Sequence, residues 1–117
     1  MVREFDNTRA LVVGLGRSGQ AAARFLIRRG ARVSGTDMQP ASALGAAAKD
    51  LQELGVQTHL GGHHPALFLN QDLILVSPGV AWDLPPLVEA RERGVEVVGE
   101  VELADRKSTR LNSSHRL

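Results

Sequence analysis

RALVVGLGRSG, residues 9–19, decides how the rest of the chain is read. Four apolar residues, Ala10, Leu11, Val12 and Val13, run into three glycines at Gly14, Gly16 and Gly19, and a helical pattern follows over residues 18–29. Strand, tight turn and helix with G-x-G-x-x-G spacing is the fingerprint of a dinucleotide-binding turn. Gly14 lets the chain turn sharply as it leaves the strand. Gly16, without a Cβ, lets a phosphate approach the backbone. Gly19 lets the first turn of the helix lie against the strand. The free N–H groups of that turn, together with the helix dipole, favour an anion.

Outward from this turn the chain alternates strand and helix. The first helix carries an apolar stripe of Ala22, Phe25 and Leu26, and Gly30 suits its C-terminal cap. Residues 31–36 read as a second strand that ends at Asp37, 23 positions after Gly14. An acidic residue at that strand tip is where this fold reads a ribose. Pro40 then breaks the chain, Ser42 is placed to cap a helix over residues 43–54, and Leu44, Ala47, Ala48 and Leu51 share one face of it. A third strand is expected over 56–60 and one helical turn over 66–69. A strongly apolar fourth strand, residues 73–76, leads into Ser77, Pro78, Gly79 and Val80. Pro85 and Pro86 open a helix to about residue 93, residues 95–98 form a fifth strand, and a further helical pattern starts at Glu100. Residues 1–8 read as a polar lead-in. The fold class is therefore α/β: a single Rossmann-like domain over residues 1–104, with about five parallel strands and helices on both faces.

At 117 residues the chain has room for one domain with a modest core. Its 43% hydrophobic and 23% charged content is that of a soluble globular protein, with no apolar run near the ~20 residues that span a bilayer. The absence of cysteine removes disulfides and thiolate chemistry, and cytoplasmic placement is the expectation. The net charge of +1 is divided unevenly. Residues 1–105 hold ten Lys and Arg against thirteen Asp and Glu, a balance of −3, whereas residues 106–117 carry +4 and no acid. The mildly acidic body is not built to hold nucleic acid. Residues 105–117, with two leucines and no hydrophobic period, are expected to be disordered or at best weakly helical.

Taken alone, the glycine turn and Asp37 fit a nicotinamide or flavin dinucleotide, and a small NAD(P)-binding oxidoreductase domain remains one reading. A non-catalytic nucleotide-binding module is another. The combination VVGLGRSG (12–19), Asp37, Gly61-Gly62-His63, DLILVSPGV (72–80) and GVEVVGEVEL (94–103) closely resembles the N-terminal domain of one family, the Mur ligases that add D-glutamate to UDP-N-acetylmuramoyl-L-alanine. The resemblance runs over residues 8–104. It implies a Rossmann-like fold that takes a UDP-sugar in place of NAD. The amides of Leu15, Gly16, Arg17 and Ser18 would hold the diphosphate within the Gly14–Gly19 turn. Asp37, Met38 and Gln39 would face the uracil, and Ser77, Pro78 and Gly79 would line the pocket near the sugar and its peptide. Many relatives carry Thr and Arg where Met38 and Gln39 stand, which leaves backbone contacts at those two positions.

The same resemblance implies a bacterial cell-wall ligase that uses ATP and Mg2+ to form an acyl phosphate, from which the amine of D-glutamate displaces phosphate. In that family this chemistry belongs to later domains. The first of them opens on a glycine-rich phosphate loop, and no GxxxxGK[ST] occurs in this sequence. Accordingly no cofactor is expected to bind this chain, no residue in it is assigned as catalytic, and the partner is UDP-N-acetylmuramoyl-L-alanine bound by a monomer. Residues 105–117 read as an extension foreign to the family, from a truncated or misjoined reading frame. An intact longer frame in the source DNA would support that origin, and a verified native stop codon after Leu117 would oppose it.

Other residues invite sharper readings. His59, His63 and His64 surround two glycines without nearby cysteine or carboxylate support, which suits a surface loop better than a metal site. Ser77 lies outside any G-x-S-x-G elbow, so a turn and ligand contact suits it better than a nucleophile. Trp82 fits a lid over a ligand and ordinary packing equally, and Arg17 fits a phosphate contact or a solvated loop.

Overall fold

Residues 4–100 are described by a computed structural model of the chain. In chain order the elements are β1 (Arg9–Val13), α1 (Arg17–Arg28), β2 (Arg32–Asp37), α2 (Ala41–Leu44), α3 (Ala46–Glu53), β3 (Gln57–Leu60), α4 (Pro65–Leu69), β4 (Leu73–Val76), α5 (Pro85–Glu92) and β5 (Glu96–Gly99). The five strands form one sheet in the order β3-β2-β1-β4-β5, and every neighbouring pair is parallel. The expected α/β architecture is therefore present, with β1 at its centre.

The strand sequences explain this placement. Ala10, Leu11, Val12 and Val13 are wholly buried, as is Ile74 on the neighbouring β4. Continuous apolar runs of this kind belong to parallel strands covered on both faces. Alternate residues feed two cores. Ala10 and Val12 join Ala22, Ala23 and Leu26 of α1 and Leu51 of α3. Leu11 and Val13 join Phe68 of α4 and Leu87 and Ala90 of α5. Full burial of each large side chain contributes ~1.5–3 kcal/mol relative to exposure, so both layers of helices are held by β1 itself.

The helices feed the strands through a repeated closure. At the end of α1, Gly30 N–H donates to Ile27 O (3.1 Å) and Ala31 N–H to Leu26 O (3.0 Å). Gly55 and Val56 close α3 in the same pattern, and Gly94 and Val95 close α5. This is the Schellman arrangement, which satisfies the last helical carbonyls and turns the chain into the next strand.

Three expectations are corrected. The helix over residues 43–54 is broken at Gly45 (φ +61°, ψ −136°) into α2 and α3. Pro40, not Ser42, stands at the N-cap of α2, with no side-chain cap, because the helix starts at Ala41 and takes Ser42 into its first turn. Residues 4–8 are not a loose lead-in. Phe5 is buried, its N–H donates to Arg29 O (2.9 Å), and its ring packs edge-on against Phe25 at 6.4 Å. The remaining pattern at 101–104 and the segment 105–117 lie outside the described residues.

Candidate functional site

The site is built where the carboxyl ends of β1, β2 and β4 meet. The chain leaves β1 at Gly14 with φ +93°, a left-handed conformation that glycine adopts without strain. Gly14 N–H donates to Thr36 O (2.8 Å) at the end of β2. Its carbonyl accepts the Ser77 hydroxyl (2.8 Å), and Ser77 N–H donates to Val13 O (3.0 Å). Leu15 N–H donates to Asp37 Oδ2 at 2.6 Å, and Gln39 N–H donates to Asp37 Oδ1 at 2.8 Å. The side chain of Leu15 points away into the core, against Gly35.

Helix α1 starts here without help. Its N-cap is Gly16, no side chain caps it, and its first turn holds no acidic residue. The amides of its first turn therefore have no side-chain acceptor within the helix, and the dipole leaves positive charge there. A Cβ added at Gly16 meets nothing within 4 Å, so the turn is open in front. At Gly19 the reverse holds: a Cβ there would overlap the Gly14 carbonyl oxygen and stand 3.0 Å from Ser77 Oγ. One glycine serves access and the other serves close packing.

A cavity of about 270 Å3 opens in front of this turn, lined by Gly14, Gly16, Ser18, Gly19, Ser77, Pro78, Gly79 and Val80. The glycine turn and the loop after β4 thus share one wall, although 63 positions separate Gly14 from Ser77. Leu15 reaches the site through its backbone alone, and that N–H is already donated to Asp37. Arg17 is exposed at the start of α1, outside the cavity lining. Asp37 stands one strand over, with Met38 and Gln39 exposed beyond it. Val80, the last residue of the Ser77–Val80 loop, lines the cavity beside Ser77, Pro78 and Gly79.

A larger groove, about 730 Å3, lies at the opposite end of the sheet beside Arg9, Arg32, Gln57 and Asn70. Helices α1 and α3 end there, and helix C-termini disfavour an anion. The smaller cavity is the better candidate for a phosphate-bearing ligand despite its size.

Sequence reasoning also missed a polar pair behind the site. Thr36 is fully buried, its hydroxyl lies 2.8 Å from His63 Nδ1, and it donates to Gly62 O at 3.3 Å. The His63 ring meets Phe68 edge-on at 6.0 Å. Burial lowers the pKa of His63, and the Asp37 charge partly opposes that shift. The available signal was a threonine directly before the strand-end acid, since a buried hydroxyl needs a partner. His64 is exposed at the N-cap of α4. Trp82 is 44% exposed, and the guanidinium of Arg91 lies 5.6 Å from its ring centre and donates to Trp82 O at 2.9 Å. Among the described residues no helix is long and apolar enough to cross a membrane.

Comparison with known proteins separates fold from family. The crystal structure of the UDP-N-acetylmuramate-alanine ligase MurC from Thermotoga maritima superposes with a TM-score of 0.73 at 22% identity, covering 88% of this chain and 23% of that one. D-lactate dehydrogenase from Escherichia coli superposes with a TM-score of 0.57 at 30% identity, covering 79% of this chain and 28% of that one. The sheet is thus common to ligases and dehydrogenases. Sequence is more selective: a curated UDP-N-acetylmuramoylalanine--D-glutamate ligase from Desulfosudis oleivorans is 49% identical over 107 residues, 92% of this chain and 23% of that protein. This chain spans about a quarter of the length of the curated relatives it matches. A sequence-family description, Mur ligase MurD-like, N-terminal domain, matches residues 8–99. The turn, the sheet order and this match together establish that the chain belongs to the MurD-like N-terminal domain family of the Mur ligases.

Proposed function

We propose that this domain holds UDP-N-acetylmuramoyl-L-alanine for a ligase that adds D-glutamate to it in peptidoglycan synthesis. The diphosphate rests on the amides of Gly16, Arg17 and Ser18 at the start of α1. The uracil lies toward Asp37, Met38 and Gln39, and the sugar with its alanine lies toward Ser77, Pro78 and Gly79. The observation that carries this reading is the uncapped, open N-terminus of α1 facing the cavity, in a chain 49% identical to a D-glutamate ligase. Asp37 belongs to the frame of the site, since each of its carboxylate oxygens accepts a backbone N–H.

Amide-bond formation with ATP and Mg2+ belongs, in this reading, to residues beyond these 117, which contain no GxxxxGK[ST]. The domain works in the cytoplasm as a monomer and supplies binding and orientation only. Titration of the purified chain with UDP-N-acetylmuramoyl-L-alanine and with NADH tests the proposal. The sugar nucleotide is expected to bind more tightly, and tighter NADH binding overturns the assignment. Phosphate release that depends on ATP and D-glutamate, catalysed by this chain alone, would contradict the division of labour.

A further inference from the structure

The peptide unit between Gly14 and Leu15 is held at both ends by side chains from two other strands. Its carbonyl oxygen accepts the Ser77 hydroxyl at 2.8 Å from the end of β4. Its N–H donates to Asp37 Oδ2 at 2.6 Å from the tip of β2. One position earlier, Gly14 N–H is fixed on Thr36 O. Ser77 is 8% exposed, so little solvent competes for its hydroxyl. The carboxylate bond is charge-assisted and belongs to the stronger class of hydrogen bonds.

We infer that Ser77 and Asp37 act together as a clamp that fixes the orientation of the Gly14–Leu15 peptide, and thereby presents the following amides to a nucleoside diphosphate. Both are positioning residues. A glycine in a left-handed conformation leaves the adjoining peptide plane with little steric restraint. With both ends held, the plane cannot rotate. Released from Ser77, the Gly14 oxygen is able to turn toward the cavity that both residues line, and its negative end then opposes a phosphate. Released from Asp37, Leu15 N–H loses its acceptor and the start of α1 loses its register with β2. Because either release frees the same plane, the two effects overlap. The diphosphate part of this inference rests on the function proposed above; the clamp itself does not.

The test uses the full 117-residue chain, its Ser77→Ala and Asp37→Ala variants and the double variant. Amide exchange at Leu15 is followed by NMR, and affinities for UDP and for uridine by titration. Both single variants are expected to speed Leu15 exchange and to weaken UDP binding about tenfold, equivalent to ~1.4 kcal/mol. Ser77→Ala leaves uridine binding within about twofold, because its effect enters through the phosphates. The double variant weakens UDP by much less than the roughly hundredfold product of two independent tenfold losses, because coupled residues are not additive. Asp37→Ala separates the clamp from simple electrostatics. Removal of a negative charge beside a diphosphate should tighten binding if charge alone mattered, and the clamp demands weakening. Unchanged Leu15 exchange in both single variants, independent effects that multiply, or tighter UDP binding by Asp37→Ala each overturn the inference. If the native chain does not bind UDP, the nucleotide reading fails, and Leu15 exchange alone still decides the clamp.

Discussion

Replacing Gly19 with alanine is the most direct probe of the turn. The added methyl would overlap the Gly14 carbonyl oxygen, stand 2.9 Å from the Gly14 carbonyl carbon and lie 3.0 Å from Ser77 Oγ. These neighbours are backbone and a buried side chain, so α1 must move away from the sheet or the turn must open. Overpacking of this kind costs ~1–3 kcal/mol. Strain on the Ser77–Gly14 hydrogen bond adds about 1 kcal/mol. The better helix propensity of alanine returns at most ~1 kcal/mol. With the full propensity gain returned, the net loss is ~1–3 kcal/mol, which lowers the melting temperature of a domain this size by roughly 4–24 °C. Gly16→Ala is the matched control. Gly16 has φ −69°, which alanine adopts, and its added Cβ meets nothing within 4 Å. Loss of a favourable N-cap glycine and reduced freedom of the unfolded chain nearly cancel, leaving stability within about 1 kcal/mol. Its methyl instead occupies the approach of a phosphate, so UDP affinity falls while the fold stands. Urea unfolding and UDP titration of both variants give the answer. The reasoning is refuted if Gly19→Ala costs less than about 0.5 kcal/mol, or if Gly16→Ala is the more destabilising of the two.

Three further outcomes are expected. Phe68→Ala empties a fully buried site between α4 and the sheet and should cost ~3–5 kcal/mol in urea unfolding; a loss under about 1 kcal/mol would contradict the packing described. Thr36→Val removes the hydroxyl shared by His63 Nδ1 and Gly62 O while keeping the shape, and should cost ~1–3 kcal/mol through unpaired groups. His63 has a folded pKa below its ordinary 6.5 because of burial. The unfolded chain therefore takes up this proton first as pH falls. Stability from His63 is full above about pH 7 and declines as pH drops through 6.5 toward the lower folded value. His63→Asn should flatten that decline in unfolding midpoints measured between about pH 7.5 and 5.5, and an unchanged slope would remove His63 as its source.

Much of the fold was legible because buried parallel strands leave a simple record. Residues 10–13 and 73–76 are unbroken apolar runs, and both are strands with the expected bounds or within one residue of them. The glycine spacing located the turn, since Gly14 answers a backbone demand and Gly19 a packing one. Gly45 was harder to read. Alanine-rich sequence favours continuous helix on propensity, and the break at Gly45 is invisible to apolar periodicity. Phe5 looked like part of a polar lead-in because its partner Phe25 is twenty positions away. The polar links of the site were hidden for the same reason. Leu15 to Asp37 and Gly14 to Ser77 join atoms from different strands, and no local pattern announces which backbone group a side chain will meet.

The contact between Gly14 and Ser77 also has a bearing on synthesis. The central strand emerges from the ribosome long before the partner that completes its far side, so the cleft has no second wall until some sixty further residues have been made. A nucleotide arriving earlier finds only half a binding place. A ligand in this cleft would thus require β4 to have joined β1, and in the proposed reading a bound sugar nucleotide would stabilise the domain across both halves of the chain and not its first half alone.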